Sequence, residues 1–116
     1  MDLGVNISPF AKSVYLSTQK IPHGKLSTYK LIAQAIGSPN ACQAIGMALS
    51  KNPFAPYVPC HRVVNTDGWI SGFYGDARPG SLLINRKIRL LKDEGIEVDN
   101  NGYILNFKDK IYDFKN

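Results

Sequence analysis

Cys60, His61 and Arg62 stand side by side in the run Val58-Pro59-Cys60-His61-Arg62-Val63-Val64, directly behind a segment rich in proline. A thiol is a weak nucleophile until a base, a cation or a helix N-terminus makes it a thiolate. Here an imidazole and a guanidinium follow it at once, and a stiff loop precedes it. In an extended segment neighbouring side chains point to opposite faces, so a direct Cys60–His61 hydrogen bond is not expected. If His61 is the base, a water relay or a local turn must connect the two. Taken alone, Cys60 reads equally as a reactive thiol or as an ordinary small side chain. The second cysteine, Cys42, falls in an apolar helical stripe and reads as a packing residue.

The elements that would position this run have visible punctuation. Ser8-Pro9 is an N-cap followed by proline, opening a helix that Pro22 and Gly24 close. In it Phe10, Val14 and Leu16 or Thr18 would face inward. A second helix opens at Ser27, with Leu31, Ile32, Ala35 and Ile36 at helical spacing and Gly37 at its end. Ser38-Pro39 repeats the cap signature and predicts a third helix to about Lys51, striped by Ala41, Cys42, Ala44, Ile45, Ala48 and Leu49. Two short helices joined by a Gly-Ser-Pro turn form a helix-turn-helix pattern. Ala41, Ala44, Gly46 and Ala48 leave this third helix slender, which suits tight helix packing or close approach to a DNA backbone equally.

The prolines of 52–60 predict an extended, stiff loop. Val63-Val64 and Trp69-Ile70 flank a turn at 65–68 and read as a hairpin, the wing of a winged helix. Residues 71–81 read as loop. A last helix runs from about Ser81 to Asp93, with Leu82, Leu83, Ile88 and Leu91 as core and Arg86, Lys87, Arg89 and Lys92 on the wet side. A second small hairpin centres on Asn101-Gly102 within 96–107, and the charged tail 108–116 is expected to fray. The fold class expected is mainly α with short β hairpins, a winged helix-turn-helix in a single domain over 1–116, of which 97–116 is the small hairpin and tail.

Composition narrows the function. At 116 residues there is room for one domain of ordinary size. No stretch is apolar enough for a membrane span, and the N-terminus lacks the order of a secretory signal. Two cysteines supply neither a disulfide framework nor a four-ligand zinc site, so no metal and a reducing cytoplasm are expected. The net charge of +5 is unevenly spread: residues 1–60 hold five lysines and one acid, residues 61–116 nine bases and eight acids. A basic half carrying a helix-turn-helix is compatible with a polyanionic partner.

Pro59-Cys60-His61-Arg62-Val63 resembles the active-site signature of the O6-alkylguanine-DNA alkyltransferases, the methylated-DNA–protein-cysteine methyltransferases. Gly24 to Tyr29 resembles that family's entry to its helix-turn-helix, and Ala41-Cys42-Gln43-Ala44-Ile45-Gly46 its recognition helix. Asn52-Pro53, Gly72-Phe73 and the run Leu90 to Gly95 match further blocks in order, over about residues 9–96. The resemblance implies binding of double-stranded DNA and rotation of an O6-alkylated guanine out of the stack. The alkyl group would then pass once to Cys60, with no cofactor. It also implies roles. His61 would take the thiol proton through a water, and Glu94 would orient His61. Asn52 would hold the active-site loop, and Tyr29 would donate to guanine N3. The carbonyls of Cys60 and Val63 would receive the guanine amine, with Phe73 and Arg62 at the pocket. Gln43, Ala41, Gly46, Ser27, Thr28, Lys25 and Lys51 would meet DNA.

Each of these residues has an ordinary reading as well: core aromatic for Tyr29, turn residue for Asn52, solvated helix end for Glu94, structural ion pair for Arg62. Their joint order favours the resemblance. Three departures accompany it. Gln43 stands where many members carry Arg, the loop before Lys87 is longer, and the family's separate N-terminal domain is absent from the chain, which is expected to be a monomer. The alternative is an alkyltransferase-like sensor that binds O6-alkylguanine without reacting and recruits other repair; loss of the cysteine marks that group, and Cys60 is present. A plain winged-helix module or a cysteine hydrolase explains fewer of these residues.

Overall fold

The computed structural model describes residues 7–115. Its elements in chain order are α1 (Pro9–Gln19), β1 (Ser27–Thr28), α2 (Tyr29–Ala35), α3 (Cys42–Ser50), a 3-10 turn (Cys60–Arg62), β2 (Val63–Val64), α4 (Leu82–Asp93) and α5 (Phe107–Lys110). The fold is mainly helical and winged-helix-like, with α2 and α3 as the helix-turn-helix pair. Among the described residues no helix is long and apolar enough to cross a membrane.

Ser8 caps α1 as its sequence predicts, its hydroxyl accepting from the Ala11 amide at 3.1 Å, with Pro9 in the first turn. Val14 and Thr18 are buried, Phe10 is half-buried and Leu16 faces solvent. The second helix starts two residues later than expected. Thr28 is its cap, with Oγ1 accepting from Leu31 N at 3.1 Å, while Ser27 and Thr28 form β1. Gly37 ends α2 with bonds from its amide to Gln34 O and from Ser38 N to Ala33 O, the paired pattern of a Schellman end. Ser38 gives its amide to this ending, and its carbonyl accepts from Ala41 N at 3.0 Å. It does not cap α3, which begins at Cys42 behind Ala41 with no side-chain cap.

The expected wing is rebuilt. Its turn forms, with Asn65 N on Trp69 O at 3.0 Å and Gly68 N on Asn65 O at 2.9 Å. Beyond it the two limbs part. Val63 and Val64 pair in parallel with Ser27 and Thr28. Trp69 instead bridges Tyr103 antiparallel, and Ile70 N bonds Gly102 O at 2.7 Å. Both valines are fully buried, so their strand belongs inside the fold and not in a solvent-facing ribbon. The predicted second hairpin appears in minimal form, with Val98 bridging Ile104 and Gly102 N on Asp99 O.

Successive strand residues face opposite ways, and β2 uses this to serve two cores. Val63 packs with Val14, Ile32, Ile45, Leu49 and Cys60. Val64 packs with Leu26, Ile70, Leu91, Ile96 and Ile104. The tail does not fray over its described length. Leu26 N bonds Lys110 O at 2.8 Å and Tyr112 N bonds Leu26 O at 2.7 Å, and the rings of Tyr112 and Phe114 meet edge to face.

Helix α4 corrects two expectations. Leu82, read as core, is 89% exposed at the first helical position, and Lys87, read as wet, is 0% exposed. Ile84, Lys87 and Leu91 share one face by their spacing of three and four, so the helix carries its lysine on the buried stripe. Leu91→Ala is therefore expected to cost about 2–5 kcal/mol in urea unfolding. Leu82→Ala should stay within about 0.5 kcal/mol of the parent.

Candidate active site

Asn52 builds the loop that precedes the thiol. Its Oδ1 accepts from Phe54 N at 2.9 Å, an Asx turn, and its Nδ2 donates to Val58 O at 2.8 Å across the segment. The proline-rich stretch therefore folds back on itself and is not extended. Cys60 to Arg62 then take a 3-10 turn, with Arg62 N on Pro59 O at 2.9 Å. The backbone from thiol to imidazole is thus a turn and not an extended segment.

Behind the turn, Glu94 gathers three separate donors. Its Oε2 meets His61 Nε2 at 2.6 Å, its Oε1 accepts from Gly24 N at 2.9 Å, and Arg62 Nε donates to both oxygens at 2.9 and 3.0 Å. Arg62 also donates from Nη1 to Ile21 O at 2.8 Å. The guanidinium thus serves the carboxylate and does not line the cleft beside Cys60, which corrects its expected place at the substrate. Glu94 itself is the C-cap of α4. Gly95, at φ +81°, lets its own amide reach Lys92 O and Ile96 N reach Leu91 O, and buried Ile96 and Leu91 add the apolar contact of this ending. A helix terminus thereby aims the carboxylate at His61.

Burial lowers the His61 pKa from its ordinary 6.5, helped by the nearby Arg62 and Lys87 charges and opposed by Glu94. The imidazole is neutral at pH 7 on this account. If it donates Nε2–H to Glu94, Nδ1 is left as a proton acceptor. Burial would raise the Glu94 carboxyl, yet the bonds from Arg62, Gly24 and His61 outweigh it and hold it below its ordinary 4.5.

Cys60 is 6% exposed and borders an open cleft of about 210 Å³ that Tyr29, Gly46, Phe73, Tyr74 and Gly75 also line. That is smaller than the roughly 300–1,000 Å³ of drug-sized sites and suits a single planar base. The Tyr29 hydroxyl lies 3.2 Å from Ser71 Oγ, and burial, partly offset by Ser71, raises its pKa so that it keeps its proton. Gly46 brings the inner face of α3 to the cleft, while Gln43, Ala44, Met47 and Lys51 are exposed on that helix or at its end and Ala41 is half-buried.

The structure thus brings Cys60, His61, Glu94, Asn52, Tyr29 and Phe73 together. Val63 is buried beside them, not in the cleft, and its carbonyl already accepts from Lys87. Ser27 and Thr28 are buried, so their side chains are not on the surface where contacts to DNA were expected. Lys25 is exposed, its Nζ 3.2 Å from Asp109 O.

Sequence reasoning missed Lys87. Its ammonium donates to Val63 O, Ile70 O and Gly72 O at 2.8, 2.6 and 3.1 Å, joining the strand after the thiol to the loop that roofs the cleft. Burial drives its pKa down to about 7, with Cys60 opposing. The spacing Ile84-Lys87-Leu91 was the available signal. Tyr74 was also passed over; it followed a matched Gly-Phe pair and carried no motif.

A helix-turn-helix domain with a thiol in a base-sized cleft, backed by a His–Glu pair, defines a class in which a nucleic-acid-binding fold and a candidate nucleophile share one core. Residues 9–96 match the DNA-binding domain of 6-O-methylguanine DNA methyltransferase, and the chain belongs to that family. A methylated-DNA–protein-cysteine methyltransferase of Methanosarcina barkeri is 47% identical over 64 residues, which are 55% of this chain and 40% of that protein. One of Saccharolobus islandicus is 42% identical over 90 residues, 78% of this chain and 53% of that one. The chain thus spans about half the length of these relatives, or less.

Among solved structures, S. pombe Atl1 in complex with damaged DNA containing O6-carboxymethylguanine superposes with TM-score 0.74 at 31% identity, covering 93% of this chain and 98% of that one. Mycobacterium tuberculosis OGT in complex with DNA gives TM-score 0.68 at 36% identity, over 78% of this chain and 52% of that one.

The His61–Glu94 pair makes stability pH-dependent. Both folded-state pKa values lie below their unfolded ones. The stability they contribute is present above those unfolded values, and falls as pH drops from 6.5 for His61 and from 4.5 for Glu94. The melting temperature should therefore decline steadily on acidification, and Glu94→Gln should flatten the part of that decline below pH 4.5.

Proposed function

We propose that this protein repairs DNA by direct reversal, taking the alkyl group of an O6-alkylguanine onto Cys60 in a single turnover. The observation that carries this reading is the thiol at the wall of a base-sized cleft, with the neutral imidazole of His61 and the Glu94 carboxylate behind it. In the reaction Nδ1 of His61 receives the thiol proton through a water, and the imidazolium so formed lies against Glu94. The thiolate attacks the alkyl carbon; the S–C bond forms as the C–O6 bond breaks. The electron pair stays with the guanine, which accepts a hydrogen bond from Tyr29 and takes its proton from solvent, while the His61 imidazolium returns the thiol's proton to solvent. The product is a thioether with no good leaving group, so Cys60 is consumed.

Double-stranded DNA containing the lesion is the proposed partner. The exposed face of α3, with Gln43 and Met47, would meet the groove, and Lys25 and Lys51 would meet phosphates. Gln43 supplies an amide for the space left by the rotated base and no charge. The similarity of Atl1 over nearly the whole of both chains favours a second reading, a sensor that binds the damaged base without reacting. The buried and supported thiol favours transfer.

Intact-mass measurement after incubation with an oligonucleotide carrying O6-methylguanine separates them. Transfer adds one CH2 to the protein, on the Cys60 peptide, and Cys60→Ser adds nothing. Tight binding of that oligonucleotide by wild type with no mass gain would establish the sensor. Binding should also weaken steeply with salt, and Lys51→Ala should reduce the slope of log K against log salt by about one.

A further inference from the structure

Tyr29 at the start of α2 and Tyr74 in the loop before α4 line the cleft with Cys60, and a charge on Cys60 would raise the pKa of both, as of Tyr15 on α1 and Lys87 on α4. Three of them are committed elsewhere. The Tyr15 hydroxyl donates to Ala48 O at 2.8 Å, Tyr29 shares a bond with Ser71, and the three protons of Lys87 go to three carbonyls. His61 spends Nε2 on Glu94. Among the described residues the Tyr74 hydroxyl has no such commitment, and Tyr74 lines the same cleft as the thiol.

The backbone shows that this placement is built. Phe73 N bonds Asp76 O at 2.9 Å and Asp76 N bonds Phe73 O at 3.1 Å, closing a two-residue hairpin over Tyr74 and Gly75. Both central residues have positive φ, +52° and +82°, the type I′ pattern that favours Asn or Gly. A tyrosine in the left-handed region is an outlier of the kind that collects at functional sites. Its ring is fixed edge to face on Phe73 at 4.7 Å, and Asp76 is anchored by Arg78 at 2.9 Å.

We propose that Tyr74 is a further catalytic residue, whose hydroxyl donates a hydrogen bond to the Cys60 thiolate and holds it ionised in the cleft. No atom is transferred; the phenol keeps its proton throughout. Burial, with Cys60 as charged and hydrogen-bonding neighbour, pushes that phenol up to about 12 against the opposing charge of Arg86, so it remains a donor at every working pH. The identity of the alkyl acceptor rests on the function proposed above; the reactivity of the thiol does not.

The test is therefore run on the thiol itself. In a Cys42→Ser background, which leaves Cys60 as the single thiol, alkylation of Cys60 by iodoacetamide is followed by intact mass from about pH 6 to 9, the range in which thiols ionise. Tyr74→Phe keeps the ring and removes the donor. It should slow the reaction about tenfold near neutrality, the worth of one hydrogen bond to a charged group, and move the pH–rate curve to higher pH so that the two variants converge in alkali. Tyr74→Asn suits the left-handed turn and is too short to reach the sulfur, so it should slow the reaction alike with the melting temperature unchanged or raised. Superimposable curves, or slowing by one factor at every pH, would overturn the proposal. A parallel incubation with the O6-methylguanine oligonucleotide keeps the two ideas apart. If Tyr74→Phe shifts the iodoacetamide curve while wild type accepts no methyl group, transfer fails and the role of Tyr74 stands.

Discussion

A carboxylate taken out of water must collect donors to replace the ones it loses, and the site is arranged around that requirement at Glu94. Its donors come from two places, Gly24 after α1 and His61 with Arg62 in the 3-10 turn, and Arg62 also donates to the carbonyl of Ile21. Removing one partner from such a group leaves a buried charge short of bonds, which is costlier than the net gain from forming any single bond. The turn that bears Cys60 is thus tied to the end of α1 and the end of α4 at once. The helix C-cap at Gly95 makes this possible, because it sets where the carboxylate points before any partner arrives.

Lys87 does for the other side of the cleft what Glu94 does for the rear. A buried ammonium without a carboxylate partner needs three acceptors, and the ones it finds are on β2, on Ile70 and on Gly72. The loop at 71–75 has little regular structure, and this side chain joins the Tyr29–Ser71 bond and the Phe73–Asp76 pair in holding it over the cleft. A negative charge on Cys60 would in turn favour the charged form of Lys87, against the burial that drives its proton off. Glu94 at the rear and Lys87 at the flank thus hold the two sides of the cleft that Cys60 borders.

What could be read from the residues alone follows from how local its physics is. The Ser8-Pro9 cap, the Gly37 end and the helix pair depend on neighbours within one turn, and they came out as read. The wing did not, because whether Val63-Val64 pairs with residues 69–70 or with Ser27-Thr28 is decided by burial of both faces, a tertiary matter. Ser38-Pro39 carried a cap signature, but residues 38–41 close a turn, Ala41 N on Ser38 O, and α3 begins only after it. Cys60, His61, Asn52, Tyr29 and Glu94 were legible through an ordered set of short motifs. Lys87 was hidden because a lysine is ordinarily assigned to water before its spacing is weighed, and Tyr74 because no rule of sequence places a tyrosine in a type I′ turn.

Helix α3 joins the recognition surface to the chemistry. Ile45 and Leu49 anchor it in the core that also holds Cys60, Gly46 faces the cleft, and Gln43, Ala44 and Met47 look outward from the same few turns. A helix gripped on its inner face in this way moves as a rigid piece, so a displacement imposed on its outer face would be delivered to the cleft wall. The interior is close-packed and does not absorb such a shift by yielding. Under the proposed function, engagement of the duplex and the shape of the pocket that receives the base are then one mechanical event. The slenderness of α3 serves its outer side, where small residues let the helix lie close to a backbone; on the inner side an added Cβ at Gly46 would only touch the edge of the Tyr29 ring, at 3.8 Å.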